Sequence, residues 1–224
     1  MSEYLNFFII NLMEELCDMS KPAFQEHQKS VRAWFQTSGN NKILLFHGLG
    51  SGKTMSAIYT AEGLLRGSIK KVYVVTPASL KENFKKELQS SLLRGSIDSK
   101  KYDIYSYQGF LKAAPRLANS LVIIDEVQNI VSDSGTTYKR FYDRLAKANK
   151  VILLSGTPMF DRPSEIAMTI NLFHPADPLP VEGFYKKYVK NNDVVNEKDF
   201  LEKVHKYVSA FKGVGPIAYA KRSD

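Results

Sequence analysis

Three glycines within five residues, Gly48, Gly50 and Gly52, stand between an apolar run and the pair Lys53-Thr54, and no other stretch restricts the fold as much. Residues 43–46 read as a buried strand, and the chain after Thr54 continues as a helix through Ala57, Ile58 and Ala61. Glycine lets the backbone turn sharply with its N–H groups pointing inward, and the helix N-terminus adds partial positive charge. Gly48, Leu49, Gly50, Ser51 and Gly52 therefore form a cradle for phosphate. Lys53 can reach the β- and γ-phosphates of a nucleotide, and Thr54 can offer its hydroxyl to a magnesium ion. The strict loop pattern has glycine six positions before the lysine; His47 stands there instead. A glycine turn followed by an incidental lysine is the alternative.

Upstream, a helix is expected around Gln28, Val31, Ala33, Trp34 and Phe35. The amide of Gln28 carries a donor and an acceptor that suit the edge of adenine; a surface glutamine on an amphipathic helix is the other reading. Downstream, residues 70–76 form a second strand, followed by Thr76-Pro77-Ala78-Ser79-Leu80, a strand-to-helix turn with Ser79 as N-cap. A third strand over 102–105 turns at Ser106-Tyr107-Gln108. Residues 120–125 are an apolar strand that delivers Asp125 and Glu126 to the sheet edge where α/β ligands bind. Asp125 can hold magnesium opposite Thr54, and Glu126 can orient and deprotonate an attacking water. Acids stabilising a helix N-terminus are the bland alternative. The strand 151–154 then delivers Ser155-Gly156-Thr157-Pro158. The sheet-building part is expected to end at the proline-rich stretch 175–180, with two helices after it, about 181–190 and 197–210.

With 224 residues, 44% of them hydrophobic, the chain can bury the core of one α/β domain. The expected architecture is a mostly parallel sheet flanked by helices on both faces, with helical extensions at both ends. A net charge of +8 and a pI of about 9.3 suit a phosphate-bearing partner. Cys17 is the only cysteine, so neither an intramolecular disulfide nor a cysteine-built zinc site can form. His27, His47, His174 and His205 have no metal-ligand spacing, and no zinc is expected. The apolar stretch 4–13 is too short to span a bilayer and has Glu3 where a signal peptide carries positive charge; a peripheral helix over 1–21 and no membrane partner are expected.

Taken as an ordered set, Gln28, Gly-Leu-Gly-Ser-Gly-Lys-Thr (48–54), Thr-Pro-Ala-Ser-Leu (76–80), Ser106-Tyr107, Asp-Glu-Val-Gln (125–128) and Ser-Gly-Thr-Pro (155–158) resemble the first RecA-like domain of superfamily 2 helicases. Within that superfamily the chain looks most like Swi/Snf-type translocases and their relatives in large cytoplasmic DNA viruses, such as poxvirus nucleoside triphosphatase I and early transcription factor ATPases. The resemblance implies a RecA-like P-loop NTPase over 22–175, a helical extension over 176–212, and a linker over 213–224 toward a second RecA-like domain. ATP and Mg2+ are the implied cofactors: Gln28 reads adenine, the loop 48–54 holds phosphate, Thr54 and Asp125 hold the metal, and Lys53, Asp125 and Glu126 are catalytic. Gln128, Ser155, Gly156 and Thr157 couple the nucleotide to the track. Thr76, Pro77, Ala78, Ser79, Ser106 and Tyr107 touch the backbone of one strand of nucleic acid, DNA in preference to RNA.

Gln128 stands where the family most often has histidine, although its amide can still bridge to Ser155 or Thr157. Such motors hydrolyse ATP between two RecA-like domains, and no second strand-helix series follows Thr157; the partner domain is expected in cis or in trans. The implied activity is nucleic-acid-dependent ATP hydrolysis, weak or absent in an isolated lobe. The implied setting is intracellular, in the host cytoplasm at a virus factory or in the virion. A non-catalytic docking or regulatory module of a viral transcription or replication complex is the competing function; the presence together of Lys53, Thr54, Asp125 and Glu126 weighs against it.

Overall fold

The apolar runs become strands because every residue in them meets a hydrophobic neighbour on one face of the sheet or the other. The computed structural model describes residues 24–48, 50–89, 97–132, 135–157, 162–190 and 193–211. The helix expected over 1–21, Leu49, Pro158 and the linker expected over 213–224 lie outside the described residues.

Helix α1 (Glu26–Thr37) leads to β1 (Lys42–His47), and α2 (Lys53–Leu65) follows the phosphate loop. Strand β2 (Lys71–Val75) passes through a 3-10 turn, Ala78–Leu80, into α3 (Lys81–Leu88). Next come β3 (Tyr102–Tyr105), α4 (Tyr107–Ala113), β4 (Ser120–Ile124), α5 (Gln128–Ser132), α6 (Thr136–Leu145), β5 (Lys150–Ser155) and α7 (Ser164–Asn171). The rest holds α8 (Phe184–Tyr188), the antiparallel pair β6 (Val189–Lys190) and β7 (Asp193–Val194), α9 (Glu197–Val204) and β8 (Val208–Phe211).

Six strands pair in parallel in the order β3-β2-β4-β5-β1-β8. Ile43, Leu45, Val72, Val74, Leu121, Ile123, Ile152 and Leu154 share one core with Val31 and Phe35 of α1, Ala57 and Ile58 of α2, and Phe84 of α3. The alternate residues Leu44, Tyr73, Val75, Val122, Ile124, Val151 and Leu153 share the other with Phe110, Phe141 and Ile170. A sheet covered on both faces has no polar side, so its strands read as unbroken apolar runs. Each fully buried aliphatic side chain contributes about 1.5–3 kcal/mol, which is why these central strands form the rigid part that carries the loops.

The C-terminal part differs from expectation. The sheet does not end at 175–180, because β8 pairs with β1 in the register Leu44↔Val208 to His47↔Phe211. The helix expected over 197–210 stops at Val204; His205–Tyr207 tightens into a 3-10 turn and the chain then extends. Without β8, the N–H and C=O groups on that side of β1 would lack partners beside the phosphate loop, and pairing satisfies them. The helix expected over 181–190 is confined to Phe184–Tyr188. Ser79 is not an N-cap: it lies inside the 3-10 turn, and α3 begins after Leu80.

Candidate nucleotide site

The phosphate loop joins the end of β1 to the start of α2, and its turns require glycine. Gly50 and Gly52 have φ of 73° and 75°, in the left-handed region. A Cβ on Gly52 would also stand 2.7 Å from Nε2 of Gln28. Behind the loop, a ring nitrogen of His27 contacts the Ser51 carbonyl at 3.0 Å, and Nε2 of Gln28 donates to the Gly52 carbonyl at 3.4 Å. The Gly48 N–H donates to the Phe211 carbonyl at 2.8 Å, and the His27 ring stacks on the Phe211 ring at 4.0 Å. Thus α1 and β8 grip the loop from its rear.

Gln28 is buried, which excludes the surface-glutamine reading. Its Oε1 accepts from the Gln25 N–H at 2.9 Å, so both ends of the amide have protein partners and shape the loop.

Across the cleft, the Asp125 N–H donates to the Val75 carbonyl at 2.8 Å, which fixes the end of β4 against β2. Oδ2 of Asp125 accepts from the Thr76 hydroxyl at 3.1 Å, and Oδ1 accepts from the Glu126 N–H at 3.1 Å. The Tyr107 hydroxyl sits on the Asp125 and Glu126 carbonyls at 2.7 and 2.9 Å. Glu126 itself has φ of 50°, a left-handed backbone that non-glycine residues adopt at a cost, and one that recurs at active sites. The Gln128 amide donates to the Glu126 carboxylate and accepts from the Ser155 hydroxyl at 2.9 Å. That hydroxyl in turn accepts from the Thr157 N–H at 3.1 Å. A Cβ on Gly156 would stand 3.3 Å from the Lys53 ammonium, so Lys53 lies close against this strand end.

Lys53, Thr54, Asp125 and Glu126 line one cavity of about 360 Å³ with Gly50, Gly52, Asn83 and Glu87. Burial, and then the charge of Glu126, push the Asp125 carboxyl up to about 6, against the pull of the Thr76 hydroxyl and Lys53. A cation in the cavity relieves both penalties. The Thr54 hydroxyl and Asp125 carboxylate are hard oxygen donors, and they fit a magnesium ion that keeps waters and shares phosphate oxygens. Among the described residues no group of three or more His, Cys, Asp or Glu is placed to hold a metal by itself.

The residues expected on the nucleic-acid track divide in two. Thr76 is fully buried with its hydroxyl on Asp125, Tyr107 supports the backbone of the acids, and the Ser106 hydroxyl caps α4 by accepting from the Gly109 N–H at 3.1 Å. Ala78 and Ser79 are exposed on the rim, with Pro77 half-buried beside them. Sequence reasoning missed Glu87, whose only signal is helical register: it falls three residues after buried Phe84 and one before buried Leu88.

No protein-family model matches the chain. A putative ATP-dependent RNA helicase of Acanthamoeba polyphaga mimivirus is 32% identical over 93% of this chain and 44% of its own length. The 70 kDa subunit of the vaccinia virus early transcription factor is 29% identical over 75% of this chain and 28% of its own length. The chain thus spans less than half the length of either relative. Among solved structures, the Sulfolobus solfataricus SWI2/SNF2 ATPase core in complex with dsDNA superposes with a TM-score of 0.68, at 18% identity over 86% of this chain and 45% of that one. The Pyrococcus furiosus Hef helicase domain gives 0.55, at 19% identity over 71% of this chain and 38% of that one. By sequence the chain's homologues are putative helicases and early transcription factor subunits, many of them of large DNA viruses, and its fold is a RecA-like α/β fold shared with the SWI2/SNF2 ATPase core and the Hef helicase domain.

Proposed function

We propose that this chain is the ATP-binding lobe of a nucleic-acid-dependent ATPase, which couples hydrolysis to movement along the nucleic acid with the help of a second RecA-like lobe. The observation that carries this reading is one line of contacts: Lys53 lies against Gly156, Ser155 bonds Gln128, and Gln128 bonds Glu126. Lys53 and the loop N–H groups bind phosphate, and Glu126 accepts the proton of the attacking water. Thr54 and Asp125 would hold magnesium, which would supply charge neutralisation for the nucleotide's phosphates. Because one amide joins Glu126 to the Ser155-Gly156-Thr157 turn, a shift of that turn repositions the base. Exposed Ala78 and Ser79, on the rim, are the residues left to meet a nucleic-acid backbone. The SWI2/SNF2 core was solved on double-stranded DNA, which supports DNA as the track, and the viral relatives support a setting in the infected cell. The presence together of Lys53, Thr54, Asp125 and Glu126 in one cavity weighs against a docking module with no turnover.

Calorimetry with magnesium and ATP tests the reading. Lys53→Ala is expected to abolish binding, and Glu126→Gln to preserve binding while stopping turnover. Wild-type affinity in Lys53→Ala would sink the phosphate assignment.

A further inference from the structure

Helix α3 brings another carboxylate to the nucleotide site. Its buried Phe84 and Leu88 seal the core, and the same register aims position 87 at the phosphate loop. Glu82, on the exposed side of the helix, pairs with Lys85 at 2.7 Å. Glu87 behaves differently: it is half-buried and lines the cavity beside Thr54, Lys53, Asp125 and Glu126.

A threonine hydroxyl has one proton and two lone pairs, so it ligates a metal best when its proton is given elsewhere. In this chain Glu87 is the carboxylate beside Thr54 in the cavity that can take that proton, because both oxygens of Asp125 already accept, from Thr76 and from the Glu126 N–H. The charges point the same way. Among the described residues that line the cavity, Asp125, Glu126 and Glu87 stand with one lysine, Lys53, and leave two negative charges uncompensated, the charge of one divalent cation.

We propose that Glu87 is a positioning residue for magnesium. By taking the Thr54 proton it turns the Thr54 oxygen toward the cavity, and it supplies part of the negative charge that the ion neutralises. The inference rests on the nucleotide-site reading above and adds a residue to it. Carboxylates that orient a metal ligand from behind are worth about 10- to 100-fold in metal affinity.

The test is ATP binding by calorimetry, in excess magnesium and in EDTA, for the wild-type chain, Glu87→Ala and Glu87→Gln, with thermal melts to confirm folding. In Glu87→Ala the affinity in magnesium is expected to fall about 10- to 100-fold, while the affinity in EDTA stays within about twofold of wild type. Glu87→Gln keeps an acceptor oxygen without the charge, and its affinity in magnesium falls between the two. Equal losses in both buffers, or no loss in either, would overturn the role. If Glu87→Ala does not fold, the nearly isosteric Glu87→Gln decides alone: an unchanged ratio between the two buffers overturns the proposal. Failure of the wild-type chain to bind ATP in either buffer would overturn the nucleotide site and this inference with it.

Discussion

His47 shows how a single substitution in a loop pattern is accommodated. The imidazole takes the place of the first glycine, is fully buried, and contacts the Ser209 hydroxyl through Nε2 at 3.0 Å. Its Nδ1 has no hydrogen-bond partner among the described residues. Burial first, then the neighbouring His27 and Lys53, lower its pKa from 6.5 to about 4. The folded chain therefore binds fewer protons at this site than the unfolded chain between those two values. The stability that neutral His47 contributes is complete above pH 6.5 and declines as the pH falls toward 4. Melting temperature should hold steady from neutral pH upward and fall on acidification, and His47→Gln should flatten that fall. An unchanged acid slope in the variant would remove His47 as its cause.

Among the elements, β8 has an effect out of proportion to its length. Four residues, Val208–Phe211, complete the sheet beside β1, bond the Gly48 N–H, and stack Phe211 on His27. Phe211→Ala leaves the backbone bond in place and removes the stack. Since the ring is only half-buried, the expected loss is about 1–3 kcal/mol, below that of a fully buried phenylalanine. ATP affinity should fall as well, because His27 loses the surface that orients it toward Ser51. Chemical denaturation and calorimetry on the same variant separate the two effects. Full affinity in a destabilised variant would show that the loop holds its shape without the Phe211 stack.

For the molecule as a whole, the question is what completes the site. Among the described residues, the carboxylates and the lysine that line the cavity come from one lobe, and no arginine lines it. An arginine supplied by a partner domain is worth about 10³ to 10⁵ in rate for P-loop ATPases. The 224-residue chain should therefore bind magnesium-ATP yet turn it over slower than a two-lobed ATPase by about that factor. Steady-state hydrolysis with and without double-stranded DNA measures this. DNA-stimulated turnover by the chain alone would mean that it completes its own site, and the two-lobe reading would fail.

Local signals were enough for β1 to β5, for the phosphate loop and for the acids, because each rests on adjacent residues: glycines that permit a turn, or an apolar run buried on both faces. The placement of Lys53, Thr54, Asp125 and Glu126 together at the strand ends was legible for the same reason. Packing between distant segments decided the rest. Val-Ser-Ala-Phe carries no strand pattern of its own, and the open side of β1, some 160 residues earlier in the chain, makes it one. Thr76 and Tyr107 read as exposed turn residues until β2 and β4 pair and bring the acids onto their hydroxyls. Glu87 looks like any charge on a lysine-rich helix until α3 packs against the sheet and meets Thr54. Backbone conformation and burial pattern are properties of neighbours in sequence, whereas the partner of a polar group is set by which strands lie side by side.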